Sequence, residues 1–260
     1  MTHHITPPTS GPDWIALDTV NARGWAMSGP RTLHPLTGDF SPEMLAKAWP
    51  GLPLVACGRP DAPLVQLPAK PLDLQPENLG NGLYAMPALS QTTPPDRIAG
   101  PLAAIAGFIA HNPGWDGVIC LVGPVSRWVL ISAEEVVSTQ PFLTGQLMDA
   151  LTSLPALSAL PEGAPEAFTD GLNDAMSRPE RLAAWLSALG ASGSLSRLQG
   201  LLIGAELAAA RPYWLGQQVA VIGPGAAYVT ALETQGVPVI RTDEVAMTLA
   251  GLHAMRKRIG

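Results

Sequence analysis

The residues able to do chemistry in this chain are a few isolated carboxylates and a few glycine turns. Trp14-Ile15-Ala16-Leu17-Asp18 is an apolar run ending in a carboxylate, with Thr19, Asn21 and Arg23 just after it. A carboxylate placed there reads as a hairpin turn residue. Glu206 lies inside the apolar block Leu198 to Tyr213. It reads as an edge residue or a satisfied buried carboxylate, both commoner than a ligand. In the same block Gly200 and Gly204 stand four residues apart, on one helix face. Each glycine costs a helix roughly 1 kcal/mol against alanine, so a pair on one face points to close backbone approach. Leu201, Leu202 and Leu207 are then core residues. Val221-Ile222-Gly223-Pro224-Gly225-Ala226 reads as strand, turn and helix. Such a turn admits a nucleotide at the helix N-terminus, or simply joins two elements.

Other chemistries find no support. There is no GxSxG, no HExxH, no phosphate loop with lysine and no CxxC. His34 and His253 have no partner at metal spacing, His111 reads as a turn residue, and His3-His4 lie in a polar tail. Cys57 and Cys120 sit in apolar stretches and read as buried free thiols.

These residues need a large framework. At 260 residues, 47% hydrophobic and 14% charged, the chain reads as globular with one or two domains. A net charge of -6 gives no electrostatic footprint for nucleic acid or an acidic membrane. No apolar run reaches about 18 residues without a charge or a breaker. The first residues show no basic region followed by an apolar core, so a cytoplasmic location is expected.

Strands are predicted at 14–18, 25–27, 53–58, 82–86, 117–122, 127–132, 218–222 and 237–241. Helices are predicted at 41–49, 98–110, 145–154, 166–177, 181–188, around Gly200, at 226–235 and at 244–258. Residues 59–97 are proline-rich and read as mostly irregular. Strands alternate with helices in the second half, which argues for α/β sheets. No internal repeat is evident.

Several segments together resemble the 2-keto-3-deoxygalactonate kinases, sugar-acid kinases of the actin-like ATPase superfamily. The family's Asp-Trp-Gly-Ser/Thr-Thr-Asn-x-Arg-x-Trp turn is matched by Asp18, Asn21, Arg23 and Trp25. Thr144-Gly145-Gln146-Leu147, Phe168 to Leu172 and Gly200 to Tyr213 resemble further family segments, and Gly223-Pro224-Gly225 resembles the adenosine loop. The resemblance implies a two-domain actin-like (ribonuclease H-like) α/β fold with an interdomain cleft. It implies a sugar-acid domain over 1–115 and a nucleotide domain over 116–260, the boundary lying near Asn112 to Asp116. It further implies ATP with Mg2+ as cofactors and a sugar acid as the small-molecule partner, and it is compatible with a homodimer. By the same resemblance Asp18 is the catalytic residue and magnesium anchor, and Arg23 binds substrate. Thr19, Asn21, Gly123, Thr144, Gly145, Gly204, Gly223 and Gly225 bind the cofactor.

Three segments depart from the family. The turn after Asp18 lacks the Trp-Gly pair. The family's Arg-Gly-Glu-Glu-Thr-Gln is replaced by Ile98-Ala99-Gly100-Pro101-Leu102-Ala103. The Pro-Gly-Thr-His turn reads Gly123-Pro124-Val125-Ser126. Leucine and proline neither accept a proton nor bind a hard cation. Two functions therefore follow: a kinase of 2-dehydro-3-deoxygalactonate, or an impaired pseudokinase that binds a sugar acid, a nucleotide or a protein.

Overall fold

The computed structural model describes residues 11–259; the polar tail with its His3-His4 pair lies outside the described residues. β1 (Trp14–Asp18) is buried throughout, as its apolar run demands. β2 (Arg23–Ser28) returns antiparallel, with Asp18 opposite Arg23. β3 (Arg31–Pro35) extends the hairpin; none of its residues is buried, so no apolar alternation marks it in the sequence. α1 (Pro42–Ala48) starts where the sequence says: Met44 N–H donates to Ser41 Oγ and proline opens the first turn. β4 (Leu54–Cys57) is fully buried. The proline-rich stretch holds five short strands: β5 (Leu64–Gln66), β6 (Glu77–Gly80), β7 (Leu83–Ala85), β8 (Ala88–Gln91) and β9 (Asp96–Ile98). α2 (Pro101–His111) begins at its proline. His111 is its last residue rather than a free turn residue, with Nδ1 2.9 Å from the Gly107 carbonyl oxygen.

β10 (Gly117–Leu121) and β11 (Ser126–Ser132) pair antiparallel. β12 (Glu135–Phe142) follows across Ala133-Glu134, both with positive φ. That is tight-hairpin backbone without the usual Asn-Gly signal, so the strand escapes a sequence reading. Then come α3 (Thr144–Thr152), α4 (Pro165–Ser177), α5 (Leu182–Ser192), α6 (Leu195–Ala209), α7 (Arg211–Trp214), β13 (Val219–Ile222), α8 (Ala226–Thr234), β14 (Val239–Thr242) and α9 (Glu244–Arg256). No helix among the described residues is long and apolar enough to cross a membrane.

The chain divides into two compact units. Among the described residues the first contains 11–115, Ser132–Ser138 and 243–259; the second contains Asp116–Ile131 and Thr139–Thr242. Against the expected 116–260 domain, α9 and the tip of the β11–β12 hairpin join the first unit. Each unit has a sheet of the same order. In the first it runs β3-β2-β1-β4-β7, with β6 on the edge, and in the second β12-β11-β10-β13-β14. Each central strand has an antiparallel neighbour on one side and a parallel one on the other. β5, β8 and β9 form a small separate sheet. The repeat is one of topology, which is why no sequence repeat announces it.

Each unit also has a close helix pair. A Cβ at Gly107 of α2 would run into the Met247 carbonyl, 2.8 Å from its carbon, and one at Gly251 of α9 would lie 2.8 Å from the Ala103 carbon. Each glycine meets the carbonyl one turn before its opposite number, and Cβ atoms point toward a helix's N-terminus, so α2 and α9 cross in parallel. This crossing is the physical reason α9 leaves the second unit. In the second unit Gly200 and Gly204 lie against α4, with Leu201, Leu202 and Leu207 buried, as the spacing predicts.

Gly190 is a contrasting case. It is exposed inside α5, with only the Ala156 carbonyl oxygen near its missing Cβ, at 3.5 Å. Gly190→Ala is expected to stabilise the protein by roughly 0.5–1 kcal/mol through helix propensity. A lower melting midpoint for this variant would contradict that.

Candidate functional site

In the first unit the hairpin of β1 and β2 gathers Asp18, Asn21 and Arg23. Asp18 is 3% exposed. Its Oδ2 accepts from Asn21 Nδ2 at 2.7 Å and Arg23 Nη2 at 2.7 Å, and its Oδ1 accepts from Asn21 N–H at 3.2 Å. Asp18 thus closes the hairpin through its own side chain, and Ala22 takes the positive φ that the turn requires. Arg23 Nη2 also donates to Glu244 Oε1 at 3.1 Å, and its guanidinium lies 5.8 Å from the Trp25 ring centre. Burial works against the Arg23 charge, but Asp18 and then Glu244 outweigh it and hold the pKa above its ordinary value.

Thr19 is committed elsewhere: its hydroxyl donates to the Cys57 carbonyl oxygen at 2.8 Å and its N–H to the same oxygen at 3.1 Å. Val20 is 60% exposed, yet its Cγ2 lies where it would meet a Cβ at Gly58, at 2.5 Å, and at Gly100, at 2.7 Å. An apolar side chain therefore covers the glycines beside Asp18 and the start of α2, whose first turn carries no acid. Burial, reinforced by Asp18, pushes the Cys57 thiol far up, so it is no nucleophile.

The donors around Asp18 do not fit a divalent ion held by the protein. The Arg23 cation already occupies Oδ2, and Glu244 is spent on the same guanidinium. Among the described residues no group of three or more His, Cys, Asp or Glu could hold a metal. Asp18, the expected magnesium anchor, instead holds the Arg23 guanidinium.

In the second unit a cavity of about 300 Å³ lies between two turns and three helices. Val122, Gly123 and Pro124 of the β10–β11 turn form one border, and Pro224 of the β13–α8 turn with Ala227 and Tyr228 of α8 forms another. Thr144, Gly145, Met148 and Asp149 of α3 and Gln199, Leu202 and Ile203 of α6 complete it. The structure thus brings together Gly123, Thr144, Gly145 and the Gly223–Gly225 turn from distant parts of the sequence. Two close approaches hold the borders in place. A Cβ at Gly145 would strike Pro124 at 2.9 Å, and one at Gly225 would meet Val122 Cγ2 at 3.1 Å. Gln146 N–H donates to the Pro124 carbonyl oxygen at 2.9 Å, seating the α3 N-terminus on the turn.

Gly204 does not join this group. A Cβ there would lie 2.5 Å from the Leu172 carbonyl oxygen of α4, so it is a packing glycine and not a cofactor contact. Sequence reasoning missed Met148, Asp149, Gln199 and Tyr228 in the lining. Gln199 carried a usable signal, a polar residue beside Gly200 in an apolar helix. Glu206 is the satisfied buried carboxylate: it is 3% exposed and accepts from Ser126, Trp128 and Tyr228.

The chain is 27% identical over 241 residues to DgoK1 of Rhizobium meliloti, assigned as a 2-dehydro-3-deoxygalactonokinase, covering 80% of this chain and 79% of that one. Its fold matches the crystal structure of a protein from Sinorhizobium meliloti with the same assignment. The TM-score is 0.78 at 23% identity, over 95% of this chain and 96% of that one. That match shows the two-domain α/β kinase fold. The 2-keto-3-deoxy-galactonokinase family model matches residues 51–255, four-fifths of the chain, and the chain belongs to that family.

Proposed function

We propose that this chain binds ATP in the cavity of the second unit and a 2-keto-3-deoxy sugar acid in the first, and moves the γ-phosphoryl group to the acid's terminal hydroxyl. The carrying observation is the cavity itself. Two turns at strand ends face it, one through Gly123 and Pro124 and the other through Pro224, with an apolar wall of Met148, Leu202, Ile203 and Tyr228. Apolar walls with a few placed polar groups suit a nucleobase and ribose. Thr144, Asp149 and Gln199 are the polar groups.

In this reading Gly123, Thr144, Gly145, Gly223 and Gly225 shape the nucleotide site. Arg23 meets the sugar-acid carboxylate, for which its planar fork is suited. Asp18 takes the hydroxyl proton as the oxygen attacks phosphorus and the bond to ADP breaks. Thr19 and Asn21 reach phosphate only by giving up their present partners. A cytoplasmic location goes with this reading.

A second reading is favoured by one observation: Asp18 is engaged by Arg23 and Asn21, and Pro101-Leu102 stand where the family has paired glutamates. Phosphoryl transfer rests on positioning and electrostatics, so those losses lower the rate without touching the cavity. The chain then binds its ligands and turns over slowly or not at all.

Calorimetry and a coupled assay with ATP and 2-dehydro-3-deoxygalactonate test both readings. ATP binding is expected in the wild type. Ala227→Trp, which fills the cavity, is expected to abolish it while sugar-acid binding persists. ATP binding that survives Ala227→Trp would remove the nucleotide from this cavity. Binding of both ligands without turnover would select the second reading.

A further inference from the structure

Glu206 joins the two turns that border the cavity through a single oxygen atom. Its Oε2 accepts from Ser126 Oγ at 2.7 Å and from Tyr228 Oη at 2.8 Å, and its Oε1 accepts from Trp128 Nε1 at 2.8 Å. Ser126 follows directly on the Gly123-Pro124-Val125 turn, and Tyr228 is the third residue beyond the Gly223-Pro224-Gly225 turn. Ser126 and Trp128 are fully buried, and Tyr228 is 5% exposed. All three donors are neutral. Taking a carboxylate out of water onto neutral donors alone is costly, and an apolar residue of similar size would fill the same space at no such cost. Packing therefore does not account for this side chain, whereas joining two chain segments does.

The join has a geometric consequence. The Tyr228 hydroxyl is held on Glu206, behind the cavity, so the residue contributes its ring and not its hydroxyl to the lining. Burial, reinforced by Glu206, pushes the Tyr228 phenol far up, so it stays a donor at any working pH. The Ser126 hydroxyl has a second, longer acceptor in the Phe142 carbonyl oxygen at 3.4 Å, so Glu206 is its main tie.

We infer that Glu206 is a positioning residue: its buried carboxylate clasps the Gly123–Val125 and Gly223–Gly225 turns and sets the width of the slot between them. It touches no ligand, and its role for the nucleotide rests on the reading of this cavity as the nucleotide site.

Three single variants test the clasp in the full chain: Glu206→Gln, Tyr228→Phe and, as control, Trp214→Phe. Trp214 Nε1 donates to the Leu207 carbonyl oxygen at 2.8 Å, one residue beyond Glu206 on α6, and Trp214 does not line the cavity. Amide hydrogen exchange at residues 123–127 and 223–228, without ligand, is read beside calorimetry with ATP and the melting midpoint. Glu206→Gln is expected to speed exchange at both segments together and to weaken ATP binding about tenfold or more, the scale of a hydrogen bond to a charged group. Tyr228→Phe is expected to loosen chiefly 223–228. Trp214→Phe is expected to lower the melting midpoint with neither change. Unchanged exchange in Glu206→Gln overturns the clasp. So does an affinity loss that follows the melting midpoint equally in Glu206→Gln and Trp214→Phe, because that is ordinary destabilisation. If the wild type binds no nucleotide yet both turns loosen in Glu206→Gln, the clasp stands and the nucleotide reading of the cavity falls.

Discussion

Gly107→Ala is expected to destabilise the protein by about 3 kcal/mol or more, although alanine is the better helix former. Ordinary overpacking costs roughly 1–3 kcal/mol because side chains shift to make room. Here the added methyl meets the Met247 carbonyl group and, at 2.9 Å, the Gly251 nitrogen of α9. Neither can rotate away as a side chain would. The helices must therefore separate, which loosens the backbone contacts of Ala103 and Gly107 with Met247 and Gly251. At about 2–4 °C per kcal/mol for a protein of this size, the melting midpoint is expected to fall by about 6–12 °C. Gly200→Ala is expected to act likewise in the second unit, where its methyl would lie 2.9 Å from the Leu172 nitrogen of α4. Wild-type melting of Gly107→Ala would mean that the helices do not cross as closely as described. The pairing with Gly190→Ala makes the comparison internal, since one substitution is expected to stabilise where there is room and to destabilise where there is none.

Those glycines also show what the sequence can carry. Two glycines on one face of an apolar helix cost too much to be incidental, and Gly200 and Gly204 do lie against another backbone. The spacing could not say which partner it was, because α4 is set by the tertiary fold. β1, β4 and β10 were legible for a simpler reason: each is a short run of apolar residues buried on both faces. β3 and β12 were not, because neither carries that run and the β12 hairpin turns on Ala133-Glu134 instead of a glycine. α9 reads as a helix from its sequence, but its return to the first unit depends on Gly251 meeting Gly107, and no local signal couples residues so far apart.

The candidate site divides along the same line. The cavity turns were legible as glycine-bounded strand ends, while Tyr228 and Asp149 reach the cavity only through the packing of α8 and α3. Glu206 could be read from sequence only as an edge residue or a buried carboxylate, since its three donors come from two other elements. Asp18 shows the opposite failure. Its position at the end of β1 was plain, but the sequence did not show that Arg23, directly opposite on β2, would occupy it. The antiparallel register that sets Asp18 beside Arg23 gives the carboxylate a resident cation before any ligand arrives.

That resident cation sets the expected behaviour of the first unit. Arg23→Ala is expected to weaken sugar-acid binding by about 10–150-fold, the range for losing hydrogen bonds to a charged group, with ATP affinity unchanged. Arg23→Lys is expected to recover only part of the loss, since an ammonium cannot offer the planar fork. The same change leaves the buried Asp18 with Asn21 alone. Removing one partner of a fully buried pair costs roughly 3–5 kcal/mol. Arg23 is 30% exposed, so solvent screening reduces that to about 1–2 kcal/mol here. Asp18→Asn separates the two roles of the carboxylate. Asparagine can still accept from Asn21 and Arg23, so the hairpin is expected to stay closed, but it cannot take a proton. If Asp18 receives the hydroxyl proton, turnover is expected to fall by about 10²–10⁴-fold, with both ligands still bound. Full turnover in Asp18→Asn would reduce Asp18 to a residue that closes the β1–β2 turn. Unchanged sugar-acid binding in Arg23→Ala would move the substrate site away from this hairpin.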